Sequence, residues 1–461
     1  MVDEIDYYAG EMISCQKGSV ELDGEYYVAE MLMTDDSIKL RIFDFNGEIR
    51  RDYIGMLSIN KVTFISSFGN YLLFGLDLNE NSFMRLGNDG VFKDYLYSAQ
   101  GFLKSRGELS TDASFSSISV FGENLKKWSG CTRKLNRIIQ RGIINQRPLE
   151  NDCTEFEKSI RGLGDIGLYY SFRLGGLDGL HTVGMSVTPH VTITFDEEIS
   201  LDNLIKSYVD LYMLLRFLIG ESLNISQVKV DSDSCLGRNG AVFYLAEKKT
   251  EKNRGNVGVF IPYSTPYYDD SEEKFPSMVW DAYYNPDNND TKELIKKYVT
   301  YTMVNSNEER FLGFYRIIET MTIKKSSYVD ENRLSELLKR SRRFFAKNFP
   351  EASISDFFRA VKRANKSKHN TESSIHHFIK SFPQSMIDAL NLDDVKIGDI
   401  CSSRNKIIHQ PLFSESPEKV YKFMKITEAL TVLAIMSRLG ISVEKIESIA
   451  LSNGLQHTFR L

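Results

Sequence analysis

Ala282-Tyr283-Tyr284-Asn285-Pro286-Asp287-Asn288-Asn289-Asp290 is a short, polar, turn-forming stretch, and the hydrophobic pattern of the chain changes across it. Before it, short runs rich in β-branched and aromatic residues alternate apolar with polar, the period-two signature of strands. After it, apolar residues recur at the 3.6-residue spacing of helices. The change predicts an α+β multidomain protein. A β-rich N-terminal half covers 1–285, with a sub-boundary near 160, and an all-α bundle covers 291–461. A chain of 461 residues has room for two or three domains.

On the N-terminal side, strands are expected at Tyr26–Met33, Ser37–Phe45, Lys61–Ser67, Tyr71–Leu78 and Phe115–Phe121. A second set follows at Gly167–Phe172, Val187–Phe195, Gln227–Val230, Val242–Glu247 and Val257–Tyr263. One helix interrupts them at about Leu201–Ile219. Ser200 and Asp202 stand at its start, Gly220 just past its end, and Leu204, Tyr208, Leu211, Leu215 and Leu218 trace one apolar stripe. On the C-terminal side, Ser306 and Glu309 have capping-box spacing ahead of Phe311, Phe314, Tyr315, Ile318 and Met321. Further helices are expected over Glu331–Asn348, Ser355–Arg363, Glu372–Ser381, Pro383–Leu390 and Asp399–Gln410, the last closed by Pro411. Ser416-Pro417-Glu418 then opens a long apolar helix that runs to Gly440.

Hydrophobic residues at 42% and charged residues at 26% are ordinary for a soluble globular protein and argue against extended disorder. Cys15, Cys131, Cys153, Cys235 and Cys401 are scattered, with no metal-ligand spacing, and read as thiols in a reducing cytoplasm. The acidic N-terminal stretch lacks the basic and apolar regions of a signal peptide, and the most apolar segments are too short to span a bilayer. The expectation is a cytoplasmic protein with no membrane, metal or cofactor. The net charge of −5 conceals a division. Residues 291–461 hold 28 Lys and Arg against 19 Asp and Glu, leaving 29 against 43 for 1–290. The basic part is the one suited to a polyanion.

Within the helical half, Arg404-Asn405-Lys406-Ile407-Ile408-His409 gathers chemistry into one turn and a half. Asn405 and His409, four apart, share a helical face, with Arg404 flanking them. Lys406 is expected to point elsewhere, and Ile407 and Ile408 to anchor the helix in the core. The motif is expected to start a helix after Ser402 and Ser403. Cutting RNA without a metal requires a base for the ribose 2′-OH, an acid for the leaving 5′-oxygen and a cation on the phosphorane oxygens. His409 can take either proton role near neutral pH, and Arg404 can grip a phosphate with two N–H groups. One such set lacks an acid/base partner, which two copies facing each other would supply. The bland alternative is an exposed arginine and a histidine packed against a helix end.

Ten basic residues against two acidic ones lie between Lys339 and Lys368. Arg340, Arg342, Arg343, Lys347, Arg359, Lys362, Arg363 and Lys366 are candidates for RNA contact, the alternative being a solvated helix face. Phe344 or Phe345 would be available for base stacking beside them, but the favoured expectation places both in the core. Glu336 and Arg340, four apart, have the spacing of a surface ion pair. His376 and His377 are adjacent, diverge on a helix and have no third ligand nearby, which argues against a metal.

The Arg404–His409 segment resembles the Arg-x4–6-His motif of HEPN ribonucleases, with Asn405 as the polar residue that commonly follows the arginine. The helix Glu308–Met321, with Phe311, Phe314 and Glu319, looks like the opening helix of the ApeA-like branch. The β-rich half, with Phe115–Phe121 running towards Trp128, is similar to the N-terminal domain that accompanies it in ApeA anti-phage proteins. The resemblance implies a HEPN-type bundle and a metal-independent endoribonuclease with Arg404, Asn405 and His409 as its catalytic set. It further implies a homodimer through the HEPN domain, acting on cellular RNA such as tRNA to halt growth during infection. The β-rich region would then sense a phage-derived trigger or restrain the basic domain. The reading from another class is a non-catalytic module that binds a partner protein or nucleotide.

Overall fold

The computed structural model describes residues 14–460 except 23, 35–36, 45–58, 80–83, 88–89, 108, 144–147, 177–182, 233–239, 246–256, 264–274, 276, 286–288, 324–326, 366–369 and 410–414. Lys366 and Pro411, named from the sequence, therefore lie outside the described residues. The chain divides into two compact units. The first is Met1–Lys252 with Ile261–Asn289, and the second is Asn253–Phe260 with Asp290–Leu461. The first is β-rich and the second all-helical.

The first unit opens with β1 (Ser14–Leu22), β2 (Glu25–Met33), β3 (Ile38–Asp44), β4 (Lys61–Ser66), β5 (Gly69–Leu78), β6 (Met84–Gly87) and β7 (Gly90–Ser105). Six of these close into an antiparallel barrel in the order β1-β2-β3-β7-β5-β4, β6 forming a hairpin with β7. Inward positions alternate along the strands. Val20, Met31, Leu40, Ile42, Phe64, Tyr71 and Tyr97 fill the interior. The sequence pattern missed β1, β6 and β7.

After the barrel come β8 (Ser114–Gly122), α1 (Glu123–Ser129), α2 (Arg133–Ile143), α3 (Glu150–Cys153), β9 (Thr154–Ile160), β10 (Gly164–Gly176), β11 (Val183–Ser200), α4 (Leu201–Ile219), β12 (Ile225–Asp231), β13 (Ala241–Leu245) and α5 (Met278–Tyr284). Their strands extend the same sheet in the order β7-β13-β12-β8-β11-β10-β9. The strand β7 belongs to both parts. Its residues 93–99 pair with β3, and 101–104 pair with β13 on the same side. At this exchange stands Gly101, where a Cβ would lie 2.4 Å from the Phe74 ring and 2.5 Å from the Tyr244 carbonyl. Helix α4 follows the expected signals and ends at Gly220 in the left-handed region, φ 74°. Part of the expected turn at Ala282–Asp290 is helical instead, since α5 runs through Tyr284.

The second unit contains α6 (Asn289–Thr302), α7 (Asn307–Thr322), α8 (Glu331–Phe345), α9 (Glu351–Asn365), α10 (Thr371–Ile379), α11 (Gln384–Leu390), α12 (Ile397–His409), α13 (Pro417–Arg438), α14 (Val443–Ser452) and α15 (Leu455–Phe459). The hydroxyls of Ser306 and Ser416 accept from Glu309 N–H and Lys419 N–H, each at 3.3 Å, so both expected caps form. From Ile426 to Met436 every side chain of α13 is buried, as in a helix surrounded by others. Helix α7 packs along it, with the Phe311 and Phe423 rings 6.3 Å apart and Thr431 Oγ1 donating to the Phe314 carbonyl at 3.2 Å.

That apolar contact encloses an ion pair. Arg310 on α7 and Glu428 on α13 are both fully buried, Nη2 to Oε2 3.6 Å. Glu428 also accepts from Tyr298 Oη at 3.3 Å and from the Val257 N–H at 3.1 Å. Burial raises the Glu428 carboxyl pKa, against the opposing pull of Arg310 and these two hydrogen bonds. The Val257 bond explains a departure from the sequence reading. Val257–Tyr263 was expected to be a strand, yet its first residues are bound by helix side chains. Phe260 exchanges 2.8 and 2.9 Å hydrogen bonds with the Asn453 amide, which takes the place of a neighbouring strand.

Helices α8 and α9 form a hairpin with its own small core of Leu338, Ile354 and Phe358, flanked by Leu334, Phe345 and Val361. Its base is pinned by Asn365, whose Oδ1 and Nδ2 each bond the Val329 backbone at 2.9 Å. Phe345 turns inward, but Phe344 is 68% exposed, against the expectation that both are core. Two helices can bury only one stripe of each other. The stripe 334, 338, 341, 345 faces inward, which turns 344 to the outside.

Two consequences for stability follow from the buried pair. Glu428→Ala, which strands the Arg310 cation in the core, should cost about 3–5 kcal/mol, and replacing both residues with Met should recover most of it; thermal unfolding of the full chain reads both. A truncated chain beginning at residue 291 should melt below one beginning at 253, because only the longer one keeps the Val257 and Phe260 hydrogen bonds.

Candidate active site

Helix α12 is held from below by Ile397 and Ile400, both buried. Buried Ser403 is held by a hydrogen bond from its hydroxyl to Glu415, ahead of α13. The same carboxylate pairs with Lys419 at 2.7 Å, so one acid ties the end of α12 to the start of α13. The sequence motif lies at the C-terminal end of this helix, which begins seven residues before Arg404. The expected helix start at Ser402–Ser403 is thereby corrected: both serines are mid-helix. Ile408 is 41% exposed and Ile407 half-buried, so the isoleucines that anchor the helix are the earlier pair.

The outward face of α12 carries Gly398, Cys401, Ser402, Asn405 and His409 at successive helical turns. Together with Lys406 and with Glu372 of α10 they line an open cleft of about 490 Å³, within the usual range for ligand sites. Gly398 lies close to Glu372 at the α10 end, where a Cβ would stand 2.9 Å from Glu372 Oε1. From Gly398 to His409 the cleft extends about 16 Å along the helix axis. Asn405 and His409 are thus brought together as expected. Lys406, expected to point elsewhere, lines the same cleft. A helical wheel explains this, because 402, 406 and 409 are neighbours at spacings of four and three.

Arg404 is placed differently. It is absent from the cleft lining, and its side chain is 25% exposed. Its Nη1 donates to Asn405 Oδ1 at 2.9 Å, its Nη2 lies 3.9 Å from Glu319 Oε2, and its Cζ sits 5.3 Å from the Tyr315 ring centroid. The Nε–H is buried and meets no acceptor among the described residues. Glu319 is itself held by Thr371 Oγ1 at 2.7 Å, and the Tyr315 hydroxyl donates to Cys401 Sγ at 3.2 Å. Burial raises the pKa of both the Tyr315 phenol and the Cys401 thiol, keeping them neutral. Three helices therefore fix the guanidinium, which in turn holds the Asn405 carbonyl and leaves the Asn405 amide N–H groups for the cleft.

Glu319 was legible through its resemblance to the family helix. Glu372, Tyr315 and Cys401 were not, since their relation to the motif arises only from packing. The basic candidates that are described fall on the α8–α9 hairpin, and none of these lines the cleft. Arg342 is engaged with Glu351 and Ser355, binding α8 to α9. Arg359 pairs with Asp356 at 3.2 Å, and the Glu336–Arg340 pair is a surface contact at 3.9 Å. Arg343, Lys347, Lys362 and Arg363 are exposed. Among the described residues no cluster of three His, Cys, Asp or Glu side chains is arranged to hold a metal, and no helix is long and apolar enough to cross a membrane.

Comparison with known proteins gives two family matches. Residues 64–275 match ApeA N-terminal domain 1, and residues 312–445 match the Apea-like HEPN domain. The second begins within α7, ends within α14 and includes the whole of α12. No curated protein and no solved structure matches the chain. A β-rich unit of the first family joined to a helical unit of the second, in that order, makes this chain an ApeA-type protein with a C-terminal ApeA-like HEPN domain.

Proposed function

We propose that the HEPN domain is a metal-independent endoribonuclease that cuts cellular RNA, such as tRNA, in an abortive-infection response to phage. The observation that carries this reading is the shared cleft of Asn405, Lys406 and His409, with Arg404 locked behind Asn405. His409 takes the proton from the ribose 2′-OH, whose oxygen attacks the adjacent phosphorus. The P–O5′ bond breaks, leaving a cyclic phosphate and a 5′-hydroxyl. Asn405 donates N–H groups to the phosphorane oxygens, and Lys406 adds positive charge beside them. Arg404 acts from behind the cleft, fixing Asn405 through its carbonyl.

The departing 5′-oxygen needs a proton. Within one chain the carboxyl group of the cleft is Glu372, beside Gly398, and helix geometry puts that end about 16 Å from His409. His409 of the partner subunit supplies the acid in a dimer formed through the HEPN domain. The β-rich unit responds to a phage-derived trigger and holds the basic unit in check until then, as the opposite charge balances of the two halves suggest.

One observation favours a second reading, a non-catalytic module that binds a protein or nucleotide: Arg404 is held by Glu319 and Tyr315 instead of facing the cleft. His409→Ala separates the two. Incubated with total RNA, wild-type protein should generate cyclic-phosphate ends with and without EDTA, and His409→Ala should lower the rate by about 10²–10⁴-fold. Unchanged cutting by the variant would leave only the second reading. Specific activity should also fall on dilution below the dimer dissociation constant. In cells, a chain beginning at residue 253 should be more toxic than the full chain, and equal toxicity would remove the restraint from the proposal.

A further inference from the structure

The outer face of α8 carries Arg333, Leu337, Arg340 and Phe344 in one line, and Lys347 continues it into the following turn. The steps of four and three residues keep all five on one stripe. All are exposed, Leu337 at 64% and Phe344 at 68%. Cations therefore alternate with apolar groups, and Arg333 and Arg340 stand about 10.5 Å apart along the axis. Phe349, after α8, and Phe357, on α9, are also exposed, and both rings lie near inward-facing Phe345, with centroids at 6.2 and 5.4 Å. The hairpin has nine basic residues against five acidic ones between Asp330 and Asn365. Arg342 is committed to holding the hairpin together, but Arg343, Lys347, Lys362 and Arg363 have no ion-pair partner among the described residues.

We propose that the α8–α9 hairpin is an RNA-gripping arm that selects unpaired strands, stacking bases on Phe344 and its aromatic neighbours while Arg340, Arg343 and Lys347 hold the phosphates. The proposal rests on the ribonuclease reading for its ligand and adds a substrate class. Three physical points favour it. Self-association through this face would bring together two surfaces of like charge. Docking on a bilayer needs an uninterrupted apolar face flanked by cations, whereas here the cations stand within the stripe and would be forced into hydrocarbon. A flexible polyanion with exposed π-faces satisfies both kinds of group, and a duplex, whose bases are already stacked, satisfies only the cations.

The test uses the full chain and two fluorescent probes that resist 2′-OH attack. One is a 2′-O-methyl oligouridine, the other a blunt 2′-O-methyl duplex with the same number of phosphates. Phe344→Ala should weaken oligouridine binding roughly tenfold or more and leave duplex binding unchanged, while Phe344→Trp keeps wild-type affinity. Arg340→Gln with Arg343→Gln should weaken both probes and lower the salt slope on oligouridine by roughly 0.7 per residue. Phe344 is too exposed for its loss to unfold the hairpin, and unchanged melting would confirm that. The proposal is overturned if Phe344→Ala binds oligouridine as wild type does. It is equally overturned if Phe344→Ala instead abolishes binding to phosphatidylserine vesicles or dissociates a dimer. Protein that binds oligouridine through Phe344 but cuts no RNA would uphold the arm and sink the ribonuclease reading. Protein that cuts RNA but ignores the substitution would do the reverse.

Discussion

The helical unit is organised around a charge that has no contact with water. Glu428 sits within the fully buried stretch of α13, and it is stabilised by Arg310, Tyr298 and a backbone N–H from the segment before the bundle. A buried pair of this kind adds little net stability compared with apolar residues, but it penalises any packing that separates its members. Sliding α7 against α13 by one turn would leave two uncompensated charges in the core. The pair therefore fixes register where the surrounding contacts, mostly Phe, Ile, Leu and Ala, would tolerate several.

Register matters because α7 carries both ends of the support for the cleft. Arg310 lies near its start, while Tyr315 and Glu319 lie one and two turns further on. Setting the first sets the others. Tyr315 and Glu319 then hold Arg404, and Arg404 holds Asn405. The chemistry of the cleft is thus positioned by a chain of polar contacts that begins in the driest part of the bundle and ends at an exposed amide. Each link is a charged or hydrogen-bonding group with few alternative partners, which gives an exposed site more order than its exposure alone would suggest.

Much of this was readable locally. Ser306, Ser416 and Gly220 mark helix ends because capping is decided by a few adjacent residues. The Asn405–His409 face follows from helical period alone. Lys406 was misplaced by considering only the four-residue spacing and neglecting its neighbours at 402 and 409. The support of Arg404 was not legible for a deeper reason: Glu319, Tyr315 and Thr371 come from other helices, and no local pattern announces them. The barrel strand β7 escaped because it has no single period. Tyr95, Tyr97 and Ala99 alternate inward while one face is exposed, and from Gly101 onward both faces are covered, so the alternation dissolves into continuous burial. Val257–Phe260 has an alternating pattern, but its backbone is bonded by the helix side chains Glu428 and Asn453.

The shared strand also bears on how the chain reaches its fold during synthesis. Residues 101–104 of β7 and the length of β8 find partners in β13 and β12 only after α1 to α4 and the β9–β11 meander have been made. Until then a closed barrel and a growing meander each present a bare edge, with Leu103 and Val120 among the residues waiting on them. Unpaired edges of this kind recruit strands from other chains. β12 and β13 therefore act as a late seal, and nascent chains that stall before residue 225 should be the ones that call for a chaperone.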